Sequence, residues 1–331
     1  MAQAQVRETT LSSSLIDQDM DAVNALILTH LKESHIPLIY DLACHLVQAG
    51  GKRIRPLLTL LTARLFGYEG PHHITLAGCI ECIHTASLLH DDVVDNSEER
   101  RGKHTANRIW GNKSSILVGD FLFTKAFSLM VKGGNAPILQ TMSKACEDLT
   151  KGEVRQLVES YGLHLTEDDY LQIITLKTAT LFEAANRVGA LIANAPSPSV
   201  EKMGQFGRLL GLIYQLKDDL LDYQKEIHHL GKKQGDDFHE GKVTLPVILS
   251  YQQSTVAEKA FWEKIFTAQQ WEQGDFEKAQ ELIDKQGVVQ TIQTRMQRYH
   301  TDAMAILDTL PQGSLTAQLS HLLCTASART C

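Results

Sequence analysis

ITLAGCIECIHTASLLHDDVVD, residues 74–95, decides the fold. Through residue 90 its apolar residues recur at three-to-four spacing, the mark of a helix that packs against a core. The run ends on Asp91-Asp92-Val93-Val94-Asp95, a D-D-x-x-D. On a helix Asp91 and Asp95 share one face, one turn apart, and His84 falls on that face too. The pattern returns at Asp218-Asp219-Leu220-Leu221-Asp222, where Gln215, Asp218 and Asp222 again share a face. Acidic groups gathered this way repel unless a cation lies among them. Mg²⁺ takes oxygen ligands and keeps part of its shell for water and phosphate. The two clusters therefore point to a polyphosphate held through magnesium bridges.

Outward from that stretch the chain stays helical. Residues 15–30, 38–48, 56–66, 114–131, 136–161, 167–193, 199–223, 244–253, 257–269 and 276–310 carry the same periodicity. Gly50-Gly51, Gly133-Gly134, Pro196-Ser197-Pro198 and residues 231–241 are the breaks. Strand alternation is absent, and no interior linker separates domains. The economical reading is one all-α domain over residues 1–331, a single large helical bundle.

Composition agrees. The chain has 331 residues, 43% hydrophobic and 21% charged, enough for a substantial core. Its net charge of −7 argues against a nucleic-acid partner. No apolar stretch is expected to reach the roughly 20 residues of a membrane span. Residues 1–14 are polar, without the order of a signal peptide, and are expected to form a flexible N-terminal segment of a cytoplasmic protein. The six cysteines include a single C-x-x-C, Cys79 and Cys82, inside a helical run. Buried, reduced, structural thiols are expected.

Basic groups flank the acidic ones. Arg100, Arg101 and Lys103 follow the first cluster, so a diphosphate could lie between magnesium and bidentate guanidinium. The bland alternative is an acidic helix end followed by a basic loop. Lys232, Lys233 and Lys242 follow the second cluster, in either a phosphate-binding loop or a solvated turn. Lys52 and Arg55, in GGKRIRP at 50–56, form an anion site or an exposed basic turn. Lys177-Thr178 sits among apolar neighbours, and a lysine there needs either a phosphate or an unseen aspartate.

Together these segments resemble one family. GGKRIRP at 50–56, HTASLLHDDVVDNSEERRGK at 84–103, GDFLFTKAF at 119–127, LKTATLF at 176–182, YQLKDDLLDY at 214–223 and LGKKQGDDFHEGKVTLP at 230–246 are similar, in order, to the trans-isoprenyl diphosphate synthases. Within that family the likeness is to the long-chain polyprenyl synthases. It spans roughly residues 15–325. The resemblance implies an all-helical bundle around a deep central cavity, a homodimer, and Mg²⁺ as cofactor. It implies that Lys52, Arg55, His84 and Arg101 bind isopentenyl diphosphate. Arg100, Lys177, Thr178, Gln215, Lys232 and Lys242 would bind the allylic diphosphate. Asp91, Asp95 and Asp218 would be the main magnesium ligands, with Asp92, Asp219 and Asp222 as further ligands or their supports.

The implied reaction is repeated head-to-tail condensation of isopentenyl diphosphate onto an allylic prenyl diphosphate. Farnesyl diphosphate is the expected primer, octaprenyl diphosphate the expected product, and a quinone side chain its expected use. Ala86 and Ser87, one turn before Asp91, are small where bulky aromatics in the family close the pocket and stop growth at short products. The resemblance thus implies an open tunnel, with Ile80, Ile83, Phe123, Phe127 or Met130 as candidate floor. A shorter-chain synthase and a non-catalytic subunit of a heteromeric synthase are the alternatives; the intact clusters disfavour the second. A terpene cyclase binds only one diphosphate, against which Lys52, Arg55 and His84 speak. A di-iron carboxylate bundle would use Glu81 with His84 and Glu226 with His229, and leaves the aspartates unexplained.

Overall fold

The computed structural model describes residues 2–32, 35–48, 50–159, 162–224 and 235–327, with side chains from residue 14 onward except at residues 47 and 48. From the N-terminus run α1 (Ala2–Lys32), α2 (Pro37–Gln48), α3 (Ile54–Leu65) and α4 (His72–Val94). A two-stranded hairpin, β1 (Glu99–Arg100) and β2 (Lys103–His104), leads to α5 (Ala106–Trp110), α6 (Asn112–Gly133) and α7 (Ala136–Glu159). Next come α8 (Glu167–Ile174), a π-helical stretch (Thr175–Ala179), α9 (Thr180–Ile192) and α10 (Ser197–Tyr223). The short α11 (Asp236–His239) precedes α12 (Leu245–Gln253), α13 (Val256–Phe266), α14 (Asp275–Lys285), α15 (Val288–Leu307) and α16 (Ser314–Ser327). The segment 1–14, expected to be flexible, enters α1 at Ala2; its side chains through residue 13 lie outside the described residues.

Contacts group the chain into two compact units. The first holds Met1–Cys146, Leu181–Gly207 and Ala305–Leu322. The second holds Glu147–Thr180, Arg208–Met304 and Leu323–Cys331.

In the first unit α4 is central and packs on α6, α3 and α1. It is buried nearly all round, as a helix with apolar residues on every side must be. The fit to α6 is close at Gly119, where an added Cβ would lie 2.3 Å from His90 Nε2. Cys79 Sγ donates to Ala126 O at 3.1 Å, and Ser115 Oγ to Leu89 O at 3.2 Å. Thr59 and Thr62 of α3 donate to Ala185 O and Asn186 Oδ1 of α9, both at 3.1 Å. These bonds satisfy hydroxyls that burial would otherwise penalise.

One expectation is corrected here. Among the described residues α6 is long and apolar enough, by length and composition, to cross a membrane. It nevertheless buries Val118, Leu122, Ala126, Leu129 and Met130, while Leu117, Phe127 and Val131 face outward. The cysteine expectation also needs amending. Cys44, Cys79, Cys82 and Cys146 are free and buried, but Cys324 is exposed, and Cys331 lies outside the described residues.

A charged cluster ties α1, α3 and α4 together. Arg64 holds Asp19 through Nε and Nη2, each at 2.8 Å, and His73 Nε2 lies 3.0 Å from Asp19 Oδ2. Burial, then the Arg64 charge, holds the His73 pKa below its usual value despite Asp19. Burial pushes Asp19 up, but the bonds from Arg64 and His73 outweigh it and leave Asp19 low. The signs follow. Folded His73 binds its proton less readily than the unfolded chain does, so stability is full above the ordinary histidine pKa and falls with acidification. Asp19 adds to the loss only at still lower pH. His84, pushed well below its usual value by burial, acts in the same sense as His73. The thermal midpoint should therefore drop between pH 7 and pH 5, each suppressed histidine contributing up to about 1.4 kcal/mol per pH unit. His73→Gln should flatten that limb in pH-dependent thermal melts; an unchanged slope would exclude His73 as a cause.

In the second unit, helix starts are set locally. Thr166 with Asp169 and Thr255 with Glu258 form capping boxes at α8 and α13. The expected helix over 167–193 is interrupted by the π stretch, where one extra residue per turn re-aims Lys177 and Thr178. The expected helix over 276–310 is cut at Gly287, whose φ of 67° favours glycine. The run at Ser314–Ser327 and the two-residue strands were not anticipated.

Candidate active site

In the first unit the site is built on the C-terminal half of α4. Asp91 and Asp95 are half-buried at its end, and Asn96, at φ 51°, turns the chain away. The hairpin follows, pairing Glu99 with His104 and Arg100 with Lys103. Its turn residues Arg101 and Gly102 have φ of 55° and 73°, the geometry of a two-residue hairpin turn. A bulky residue in the left-handed region is strained, and such strain gathers at functional sites. Arg53, before α3, shares this conformation at φ 48°.

The turn sends two arginines to different places. Arg100 reaches back to Asp92, with Nε at 2.9 Å and Nη2 at 2.8 Å from Oδ1. Arg101 lies against Gly51, where an added Cβ would sit 2.7 Å from its Nη1. That close approach joins the hairpin to the segment bearing Lys52 and Arg55. Arg55 Nη1 is 3.0 Å from His84 Nε2, and its guanidinium stacks 4.4 Å from the Phe182 ring centre. Burial, then the charges of Arg55, Arg101, Arg100 and Arg53, pushes the His84 pKa far down. His84 is thus a neutral imidazole accepting from Arg55. Lys52 is exposed beside this group. The structure therefore brings Arg55, His84 and Arg101 together as one basic group. It adds two residues to which sequence reasoning gave no role there, Arg53 and its buried partner Glu81.

Asp92 has no exposed surface, and Oδ2 finds no hydrogen-bond partner. Burial raises its pKa, and Arg100 offsets only part of that. Burial works against the Arg100 charge, but Asp92 more than restores it. Buried and paired through Oδ1, Asp92 aims Arg100. Of the chain-length pair, Ser87 is half-buried and donates to His84 O at 2.9 Å, and Ala86 has no accessible surface. Ile80 and Ile83 are equally sealed, Met130 is buried, and Phe127 is 44% exposed beside Phe123.

In the second unit Lys177 and Thr178 project from the π stretch. Gly152 of α7 allows the close pass, since a Cβ there would meet Lys177 N at 2.6 Å. Lys177 Nζ pairs with Glu153 Oε2 at 2.6 Å, so its carboxylate partner is a glutamate where an aspartate was the alternative to phosphate. Thr178 Oγ1 donates to Gln215 Oε1 at 2.7 Å. Asp218 is exposed on α10. Asp219 is buried, accepting from Tyr170 Oη and, at 2.8 Å, from Gln215 Nε2. Asp222 accepts from the backbone N–H of Asp236 and Asp237 at 3.0 and 3.1 Å. Burial, then Asp237 and Asp236, pushes Asp222 up to about 8. Asp219 and Asp222 are thus both engaged by donors from the protein itself. Lys242 Nζ pairs with Glu240 at 2.6 Å, and Lys232, like His228 and His229, lies outside the described residues. Tyr170 was missed, although it stands seven residues before Lys177 and that spacing marks one helix face.

The di-iron alternative finds no support. Glu81 is engaged by Arg53, His84 by Arg55, and Glu226 lies outside the described residues. Among the described residues no three of His, Cys, Asp and Glu converge to hold a metal by themselves. Oxygen donors from single aspartates suit a hard cation that completes its shell with phosphate and water.

Residues 36–283 match the sequence profile of the polyprenyl synthetase family. The chain belongs to that family. The octaprenyl diphosphate synthase of Escherichia coli (strain K12) is 43% identical over 303 residues, covering 90% of this chain and 92% of that protein. The crystal structure of a decaprenyl diphosphate synthase from Rhodobacter capsulatus superposes with a TM-score of 0.92 at 42% identity, over 98% of this chain and 99% of that one. A polyprenyl synthase from Caulobacter crescentus CB15, complexed with calcium and isoprenyl diphosphate, also gives 0.92 at 42% identity, over 96% and 97%. The fold is the all-α isoprenoid synthase fold, and this polyprenyl synthetase is a prenyltransferase.

Proposed function

We infer that this prenyltransferase is a long-chain trans-polyprenyl diphosphate synthase. It adds isopentenyl diphosphate units to an allylic diphosphate, with farnesyl diphosphate as primer and octaprenyl diphosphate as product. The observation that carries this reading is the basic group of Arg55, Arg101 and neutral His84. It is an anion site separate from the aspartates, and a cyclase binding one diphosphate has no use for it.

Arg55 and Arg101, with Lys52, would hold the diphosphate of isopentenyl diphosphate, and His84, kept neutral, orients Arg55 without adding repulsion. Arg100, aimed by Asp92, would hold the allylic diphosphate together with Lys177, Thr178 and Gln215; Lys242 and Lys232 would join them. Lys177 must then exchange Glu153 for phosphate oxygens. Asp91, Asp95 and Asp218 would hold Mg²⁺, which when bound draws charge onto the leaving diphosphate. The calcium in the Caulobacter relative supports a divalent cation in this role. Guanidinium and ammonium groups stabilise the charge that develops as the allylic C–O bond ionises. The isopentenyl double bond attacks the resulting cation, and one proton leaves. No side chain stands out as base, so the released diphosphate takes it. Apolar helix faces must exclude water, or the cation would be hydrolysed.

The identity to the Escherichia coli octaprenyl synthase supports the eight-unit product, and the small Ser87 supports a tunnel that stays open beneath Asp91. The outward apolar residues Leu117, Phe127 and Val131 of α6 support a homodimer. The test is elongation by the purified dimer given farnesyl diphosphate, isopentenyl diphosphate and Mg²⁺. Chains should lengthen to a C40 main product; a folded dimer that elongates nothing would refute the reading.

A further inference from the structure

Tyr170 lies in α8 and is buried. Its hydroxyl donates to Asp219 Oδ2. On the other oxygen, Asp219 accepts from Gln215 Nε2 at 2.8 Å, and Gln215 Oε1 accepts from Thr178 Oγ1 at 2.7 Å. One hydrogen-bonded chain thus runs from Tyr170 through Asp219 and Gln215 to Thr178. Tyr170, Asp219 and Gln215 line a cleft of about 110 Å³ shared with Lys177 and Lys242.

The chemistry of the middle links matters. A glutamine amide presents oxygen on one side and NH₂ on the other, and turning it over exchanges acceptor for donor. An ionised carboxylate only accepts. Asp219 therefore fixes the Gln215 amide with NH₂ toward itself and oxygen toward Thr178. The second N–H of that NH₂ remains for an anion. Were the amide reversed, its oxygen would face diphosphate oxygens, acceptor against acceptor. Asp219 imposes this only while both its oxygens are held by donors, because a carboxylate held on one side alone is free to turn. Tyr170 is such a donor, and its hydroxyl is the part a phenylalanine would lack. A tyrosine needed only for packing would leave the hydroxyl idle.

We propose that Tyr170 is a positioning residue for the allylic-diphosphate subsite, acting through Asp219 to set which face Gln215 presents. The inference rests on the prenyl-transfer reading above.

The test is steady-state kinetics of Tyr170→Phe, Asp219→Asn and the double variant, varying each substrate separately. Tyr170→Phe should raise KM for farnesyl diphosphate about tenfold, in line with a lost hydrogen bond to a buried charge, and KM for isopentenyl diphosphate by less than about twofold. The double variant should lose less than the product of the two single losses, because both act on one relay. An unchanged KM for farnesyl diphosphate, an equal rise in both KM values, or full additivity would overturn the proposal. If Tyr170→Phe does not fold, Asp219→Asn alone must show the same split, and its absence overturns the proposal equally. Calorimetry with an unreactive thiolo analogue of farnesyl diphosphate separates the two levels. A wild-type chain that binds the analogue but never elongates sinks the prenyl-transfer reading, while weaker binding by Tyr170→Phe still upholds the positioning role and equal binding ends it. A wild-type chain that binds no analogue overturns both.

Discussion

Asp91→Ala and Asp218→Ala should each lower turnover by at least about a thousandfold, roughly 4 kcal/mol of transition-state stabilisation. Neither should unfold the protein. Asp91 is half-buried and Asp218 exposed, in contrast to the buried Asp92 and Asp219, whose removal would leave Arg100 or Tyr170 without its partner. Asp91 sits in the last turn of α4, and Asp218 lies near the C-terminal end of α10. At Asp91 a negative side chain opposes the helix dipole, at a cost of about 0.3–1 kcal/mol; at Asp218, which stands before the last turn, the cost is smaller. Removing either carboxylate should therefore leave the thermal midpoint unchanged or slightly raised while activity collapses. Stability and activity moving in opposite directions is the signature of residues kept for chemistry. Melting curves and initial rates on the same preparations check both halves. Near-normal turnover in either variant would contradict the cation assignment.

Ser87→Phe should shorten the main product without abolishing turnover. Ser87 stands four residues before Asp91, one turn away or about 6 Å along the helix. Long side chains on a helix lean toward its N-terminus, so a phenylalanine here would fill space beneath Asp91 and leave the aspartates clear. The serine hydroxyl serves only His84 O in its own helix, a bond whose loss costs about 1 kcal/mol. The growing chain would then meet an aromatic wall after few additions. Mass spectrometry of the dephosphorylated products reads the outcome; an unchanged length distribution would remove Ser87 from the tunnel.

The helical architecture was legible because periodicity reports burial, and α4 and α10 carry it almost without interruption. Helix-face reasoning also placed Asp91 with Asp95, and Gln215 with the second cluster. Periodicity could not say which aspartate turns inward. Asp92 and Asp219 are distinguished by partners remote in sequence or across a turn, Arg100 and Tyr170, and spacing along one helix does not encode those. The π stretch at Lys177 was invisible for a related reason: it keeps the apolar pattern and changes only the hydrogen-bond register. Glu153 lies in a different helix, so the partner of Lys177 could be anticipated as a carboxylate but not named. In α6 the sequence pattern was misread in the other direction. Its outward apolar residues made the helix long and apolar enough for a membrane while its inward ones packed on α4.

The most direct test of the account is product length. The purified protein is supplied with farnesyl diphosphate, excess isopentenyl diphosphate and Mg²⁺, and the dephosphorylated products are read by mass spectrometry. A dominant C40 alcohol is the predicted result. A stop at C15–C20 would keep the prenyl-transfer chemistry but contradict the open tunnel, and no elongation by folded protein would contradict the assignment itself.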